Sequence, residues 1–330
     1  MLVPPPDFHA NQVAQALLEH WDITATEVSY TPLGAGSHNW TVTDVKGTQW
    51  FVKSNRAGAE TSFFNAAART AVSLHAAGLE FVHASVPDKS GDPRPTVSAG
   101  WSLAVFPFIH GRNLDWTSDH ERALITEAIG RLHALGVVPS SAPQWTPRWR
   151  QDDLRKLLVD RLDKPWTGGP YGERARSLLR RDVEGIRQLL DYSDQIVATL
   201  LKDSQPWVMT HGEPSEGNSM LDSDGSARLI DCTVMMIAPR ERDLWLLLYG
   251  EHRSPRTIDR MLLASYQRTA GLVEPRRYAL DVFRAERHLA EISGCTQIFA
   301  GPHDKNSDRE EDWRSLQDHL PVATFWPHLT

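Results

Sequence analysis

Between His211 and Asp231 the chain leaves itself few ways to fold. The segment His211-Gly212-Glu213-Pro214-Ser215-Glu216-Gly217-Asn218 sets a carboxylate and a carboxamide five residues apart, and Leu229-Ile230-Asp231 ends an apolar run on a second carboxylate. Asp224-Gly225, between them, is a two-residue hairpin signal, because Gly tolerates positive φ and Asp does so better than most residues. Folding about that turn sets Ser223 opposite Ser226, Met220 opposite Leu229, Ser219 opposite Ile230 and Asn218 opposite Asp231. Directly opposed residues have Cβ atoms roughly 4.5–5.5 Å apart. Both oxygen-bearing side chains then reach one cation at about 2.1 Å per ligand. A slip of one residue would turn them to opposite faces. The plainer reading is a solvated hairpin with a polar rim.

Phosphoryl transfer from a nucleotide needs such a set. One carboxylate orients the acceptor hydroxyl and takes its proton, and oxygen ligands hold Mg²⁺ against the phosphates. Protein kinases meet the need with Asp, four intervening residues and Asn, then a metal-binding Asp. Here Glu213 fills the first role, and Asn218 and Asp231 the metal positions.

On these residues the chain resembles the aminoglycoside phosphotransferase family of small-molecule kinases, which share the protein-kinase-like fold. That family usually reads His-Gly-Asp, about four residues, Asn, a short hairpin and Ile-Asp, often followed by Asp-Leu at a helix start. This chain has Asp243-Leu244-Trp245 after Ala238-Pro239-Arg240-Glu241-Arg242, a segment similar to the spectinomycin phosphotransferase branch and a set of actinobacterial relatives. Three departures stand out. Glu213 replaces the usual Asp, Ser215-Glu216 replaces a common His-Pro, and Cys232-Thr233 replaces a common Trp plus acidic residue.

The resemblance implies an α+β, bilobal protein-kinase-like fold, with a small N-terminal lobe built on an antiparallel sheet and a larger, mostly helical C-terminal lobe. It divides the chain into a nucleotide-binding lobe (1–106), a hinge (107–112) and a catalytic and substrate-binding lobe (113–330). It implies ATP or GTP as donor, Mg²⁺, and transfer to a hydroxyl of an antibiotic-like or biosynthetic metabolite, in antibiotic resistance or natural-product biosynthesis. His211 then supports the catalytic loop through hydrogen bonds, and Asp243 ties that loop's backbone to the helix that follows. The rival readings are a kinase of a peptide or another natural-product intermediate, and a kinase-like binding protein without turnover.

The rest of the chain supplies candidates for the nucleotide. Residues 1–20 hold a short amphipathic helix with Val13, Leu17 and Leu18 on one face. Strand-like segments follow at 27–33, 40–44 and 49–53. Gly34, Gly36 and Ser37 make a Gly-rich bend able to cover phosphates with backbone N–H groups, although two glycines equally suit a simple turn. Alternation puts Trp50 and Val52 on one strand face and Phe51 and Lys53 on the other. At this place in the kinase-like fold a lysine contacts the α- and β-phosphates, whereas a strand-end lysine is most often just exposed. A helix over 60–77 offers Glu60 as its one acidic residue, at the N-terminus, and the lysine's partner stays open. The strand 103–106, broken by Pro107 and Gly111, is a hinge candidate. Phe106 and Phe108 there either flank the base or end a core strand. Helical spacing recurs at 120–135, 152–163, 173–202, 240–249, 256–270 and 276–299. Trp145, Trp149 and Trp166 offer walls for an acceptor site, Glu216, Glu286 and Glu291 offer charge for a cationic one, and Phe325-Trp326 is expected to dock the tail.

Composition narrows the class. At 330 residues, 41% hydrophobic and 23% charged, the chain reads as a globular protein with room for two lobes. Its net charge of −7 argues against nucleic acid. No run of 18 apolar residues marks a membrane span, and Met1-Leu2-Val3-Pro4 does not read as a signal peptide. Two cysteines, Cys232 and Cys295, fit a reducing cytoplasm. The expected partners are a nucleotide and a small hydroxylated substrate. Oligomeric state is left open. The chain lacks the G-x-x-x-x-G-K-S/T loop, H-E-x-x-H and G-x-S-x-G, which sets aside P-loop, zincin and α/β-hydrolase chemistry.

Overall fold

A computed structural model of the chain describes residues 1–34, 36–147, 151–249 and 257–329. These gather into two compact units. The first comprises Met1–Trp145, Trp207–Gly250 and Ile258–Glu274, and the second is built mainly of Thr146–Pro206 and Pro275–Thr330.

The first unit opens with α1 (Ala10–Trp21) and a four-stranded antiparallel sheet in sequential order, β1 (Ala25–Thr31), β2 (His38–Asp44), β3 (Gln49–Arg56) and β4 (Trp101–Pro107). Val13, Ala16 and Leu17 of α1 pack against Trp40, Val42, Val52, Leu103 and Val105. Ala16 takes the place expected of Leu18, which is half exposed. Because side chains alternate along a strand, burying Val52 against α1 turns Lys53 to the other face of the sheet. Next come α2 (Thr61–Ala76), the short β5 (Gly111–Asn113) and α3 (Asp119–His133), capped by the Ser118 hydroxyl.

The motif segment is held by two small sheets. β6 (Val208–Thr210) pairs with β9 (Met236–Ala238), while β7 (Ser219–Asp222) lies between β5 and β8 (Ala227–Leu229). The β7–β8 register corrects the sequence expectation by one residue. Ser219 faces Leu229, Met220 faces Arg228 and Leu221 faces Ala227. The reason is the loop. The Gly225 N–H donates to the Asp222 carbonyl at 3.0 Å, and the Asp222 N–H donates to the Ser226 carbonyl at 2.9 Å. Gly225 at φ +81° is the left-handed residue of a three-residue loop. Asp224-Gly225 is thus the end of the turn and not its two-residue centre.

After β9, α7 (Glu241–Tyr249) is buried at every position, including Glu241, Arg242 and Asp243. A helix apolar or enclosed all round belongs to the interior. α8 (Arg260–Ala270) starts later than expected, where Asp259 caps it by accepting from the Met261 and Leu262 N–H groups.

The second unit is helical: α4 (Gln151–Asp160), α5 (Gly172–Arg181), α6 (Val183–Leu200), α9 (Arg277–Ala300) and α10 (Ser307–Asp318). The expected single helix over 173–202 is two. It breaks at Asp182, whose carboxylate accepts the Val322 N–H at 2.6 Å. Trp326, fully buried, docks the tail into this unit's own core beside Leu189, Leu190 and Val322. α10 was hidden in a polar tail, its start marked by the Asn306 cap on the Arg309 N–H. No helix among the described residues is long and apolar enough to cross a membrane. Both cysteines are buried free thiols.

Candidate active site

The catalytic-loop candidate leaves β6 at His211 and is anchored from below. One oxygen of Asp243 accepts the Gly212 N–H at 2.6 Å. The other accepts the His211 N–H at 2.8 Å and the His133 Nε2 proton at 3.0 Å. Asp243 is fully buried. Burial alone would raise its carboxyl, but the hydrogen bond from His133, with Arg242 nearby, holds it below the usual carboxylate range. The tie expected between loop and helix is therefore present. Beneath the loop, Arg242 donates to the Thr210 hydroxyl at 2.9 Å and the Val234 carbonyl at 3.0 Å. Its guanidinium fills the space where a Cβ on Gly212 would stand, and Gly212 sits at φ +100°.

His211 is completely buried and joins loop to hairpin. Its Nε2 donates to the Ile230 carbonyl at 3.0 Å, and its Nδ1 accepts the Glu213 N–H at 3.3 Å. These bonds select one neutral tautomer, and burial lowers the ring's pKa. His211 acts as a brace. The Glu213 carbonyl accepts from the Asn218 carboxamide at 3.0 Å and from the Ser215 N–H at 2.9 Å. Since a carbonyl only accepts, the Asn218 amino group faces it, and its side-chain oxygen is turned away from that bond.

Asp231 lies beyond the end of β8, at φ +60°, ψ +49°. Strand alternation no longer governs where its side chain points, so the one-residue slip in the hairpin does not carry it to the far face. The Ile230 N–H donates to the Asn218 carbonyl at 3.0 Å, which holds the two motif ends together. The Asp231 carboxylate pairs with Lys53 Nζ at 2.9 Å and accepts the Thr233 hydroxyl at 3.0 Å. The lysine is 15% exposed and the aspartate 33%. Burial pushes the Asp231 carboxyl up, and the Lys53 ammonium outweighs it, leaving a lowered pKa. The lysine expected at β3 thus meets the aspartate expected after the hairpin, and Glu60 stands at the N-cap position of α2. β8 is itself fixed by the 81–83 segment: the His83 N–H donates to the Leu229 carbonyl and the Leu229 N–H to the Phe81 carbonyl, at 2.9 and 2.7 Å.

Other expected residues stand elsewhere. Gly34 and Gly36 both have positive φ, and Ser37 hydrogen-bonds Asn39 at 3.0 Å. Phe106 is buried with its ring stacked on His83, centroids 5.6 Å apart. Phe108 lines an open groove of about 440 Å³ with Trp50, Pro107 and His110. Among the described residues no hydrogen bond, ion pair or ring contact joins either phenylalanine to Lys53 or Asp231. Trp145 and Trp166 are buried, and Trp149 lies outside the described residues. Glu291 is paired with Arg287 at 3.1 Å along its own helix. The sequence alone does not single out His133 or Arg242. Their one signal was the odd placement of ionisable side chains inside apolar helical stretches.

Comparison with known proteins agrees with this architecture. A family model described as "Phosphotransferase enzyme family" matches residues 29–280. Protein StrN of Streptomyces griseus is 25% identical over 273 residues, covering 78% of this chain and 77% of that protein. Among solved structures, spectinomycin phosphotransferase APH(9)-Ia in complex with ADP and spectinomycin superposes with a TM-score of 0.76 at 17% identity, over 98% of this chain and 100% of that one. Amicoumacin kinase hAmiN in complex with AMP-PNP, Ca²⁺ and Ami gives 0.60 at 13% identity, over 94% of each. These likenesses make the fold the α+β, protein-kinase-like one. With the family model running over most of its length, from β1 to α9, the chain belongs to the phosphotransferase enzyme family and is a phosphotransferase.

Proposed function

We propose that this phosphotransferase moves the γ-phosphate of ATP to a hydroxyl of a small antibiotic-like or biosynthetic metabolite. The observation that carries the reading is the meeting of Lys53 and Asp231 at 2.9 Å beside a loop that presents Glu213 and Asn218. A partly buried positive group from the sheet and a carboxylate from the hairpin are what a polyphosphate with its cation would separate and bind. Glu213 orients the acceptor hydroxyl and takes its proton. In a loose transition state its position matters more than its base strength. Lys53 binds phosphate oxygens, and the Gly34–Ser37 bend covers them.

The donor set suits Mg²⁺. Asp231 and the Asn218 side-chain oxygen offer one carboxylate and one neutral oxygen, the few protein ligands that a largely water- and phosphate-bound Mg²⁺ takes. When bound, the ion neutralises phosphate charge. The relatives' complexes with ADP and with AMP-PNP and Ca²⁺ support a nucleotide with a divalent cation. Their spectinomycin and amicoumacin ligands support a small antibiotic-like acceptor. The free thiols suit work in the cytoplasm.

The test is calorimetric titration with ATP and GTP, with and without Mg²⁺, followed by a phosphate-transfer screen over aminocyclitols, aminoglycosides, nucleosides and peptides. Mg²⁺-dependent ATP binding and transfer to a non-peptide hydroxyl support the proposal. Nucleotide binding with transfer only to peptides would move the acceptor to the peptide class. No nucleotide binding would remove the kinase reading.

A further inference from the structure

The anchor under the loop does not end at Asp243. His133 lies at the end of α3, and its Nδ1 is 2.9 Å from the Tyr266 hydroxyl on α8. Arg240, just before α7, approaches the same hydroxyl at 3.1 Å through Nη1. The four side chains form one line, Arg240, Tyr266, His133, Asp243, ending on the backbone of His211 and Gly212. Tyr266 is fully buried, and His133 nearly so.

The donors and acceptors give this line a direction. A guanidinium only donates, so Arg240 gives a proton to the Tyr266 oxygen. An ionised carboxylate only accepts, so His133 gives its Nε2 proton to Asp243. Among the described residues, the Tyr266 hydroxyl proton has His133 Nδ1 as its one acceptor. Pointed anywhere else it would be a buried donor without a partner, a loss of about 1–3 kcal/mol. Burial pushes the Tyr266 phenol up to about 12, which keeps that proton in place. The helices are fitted for the contact. A Cβ on Gly130, one turn before His133, would lie 2.8 Å from the Tyr266 carbonyl and overlap Thr269. The glycine lets α3 and α8 approach closely where their rings must meet.

We infer that His133 is a positioning residue for phosphoryl transfer, a neutral Nε2–H imidazole in a directed relay from Arg240 through Tyr266 that fixes, through Asp243, the loop presenting Glu213. The kinetic part of this inference rests on the role proposed for Glu213, and the relay itself does not. A rigid loop matters because a displacement of about 1 Å at a reacting group costs on the order of 10²-fold in rate.

The experiment uses the full chain with Mg²⁺–ATP, water serving as acceptor, and AMP-PNP as the binding probe. His133→Leu removes the donor, and His133→Gln restores an N–H near the Nε2 position. The relay predicts that His133→Leu lowers kcat for ATP hydrolysis about 10-fold or more, with KM for ATP and AMP-PNP affinity within about 2-fold. It predicts that His133→Gln regains most of the loss. Histidine side-chain ¹⁵N spectra of the unmutated protein near neutral pH should show the Nε2–H tautomer for His133. In Tyr266→Phe the Nδ1 resonance should move, because its donor is gone. An Nδ1–H tautomer or an imidazolium would overturn the relay, whatever the activity and whether or not His133→Leu folds. Full kcat in His133→Leu alongside an inactive Glu213→Ala would overturn the positioning role while leaving the proposed function standing. Unchanged turnover in Glu213→Ala would strike at the proposed function instead, and the ¹⁵N spectra would still decide the relay.

Discussion

Gly212 joins two demands that no other residue meets at once. Its φ of +100° is a region side chains avoid, at a cost of about 1–2 kcal/mol, and its α-face lies on the buried Arg242 guanidinium. Gly212→Ala should therefore destabilise the protein by roughly 2–4 kcal/mol, because the strain adds to the loss of the Arg242 bonds to Thr210 and Val234. Chemical denaturation checks the size, and a change below about 0.5 kcal/mol would mean the loop relaxes freely. Glu213 makes the complementary prediction. Glu213→Ala should lose turnover by about 10²–10⁴-fold with nucleotide affinity unchanged. Glu213→Asp should lose about 10²-fold if the loop is set for the longer arm. Steady-state kinetics and ATP titration measure both. A fully active Ala variant would take Glu213 out of the mechanism.

At the scale of elements, the hairpin is where sequence logic was right about the partners and wrong about the path. The Asp224-Gly225 signal placed the hairpin, yet that pair was assigned the centre of a two-residue turn. The structure uses a three-residue loop with Gly225 in the left-handed place. Gly225→Ala should cost about 1 kcal/mol in urea denaturation, while Gly225→Asn, which tolerates that conformation, should cost less. Equal losses would show that the turn does not need positive φ. The same contrast runs through the chain. The sheet strands and Lys53's face were legible because one buried residue in two fixes a strand's orientation. Asp231 was legible as chemistry, but its position depends on a left-handed backbone that lies outside any periodic pattern. The break at Asp182 and the burial of Trp145 and Trp166 depend on contacts distant in sequence, which periodicity does not encode. His133 was visible only as a histidine in a helix, since its partners lie 110 and 133 residues away.

For the whole molecule, buried histidines set the acid limit of stability. His288 is buried, donates Nε2 to the His319 carbonyl at 2.9 Å, and has its pKa lowered to about 3, by burial first and by His319 next. The unfolded chain takes up this proton below about 6.5 and the folded one does not until about 3. Stability is therefore full above 6.5 and falls as pH drops, by about 1.4 kcal/mol per unit. Urea midpoints should decline between pH ~6.5 and ~5, and His288→Gln should flatten the decline. An unchanged slope in the variant would assign the acid sensitivity to other groups. The central claim concerns the place where sheet and hairpin meet, and Asp231→Asn tests it most directly. The change is nearly isosteric and removes the carboxylate from both Lys53 and the proposed Mg²⁺ position. With the fold verified by circular dichroism, phosphate transfer from Mg²⁺–ATP should fall by roughly 10²-fold or more. Mg²⁺-dependent transfer at the unmutated rate would contradict the account.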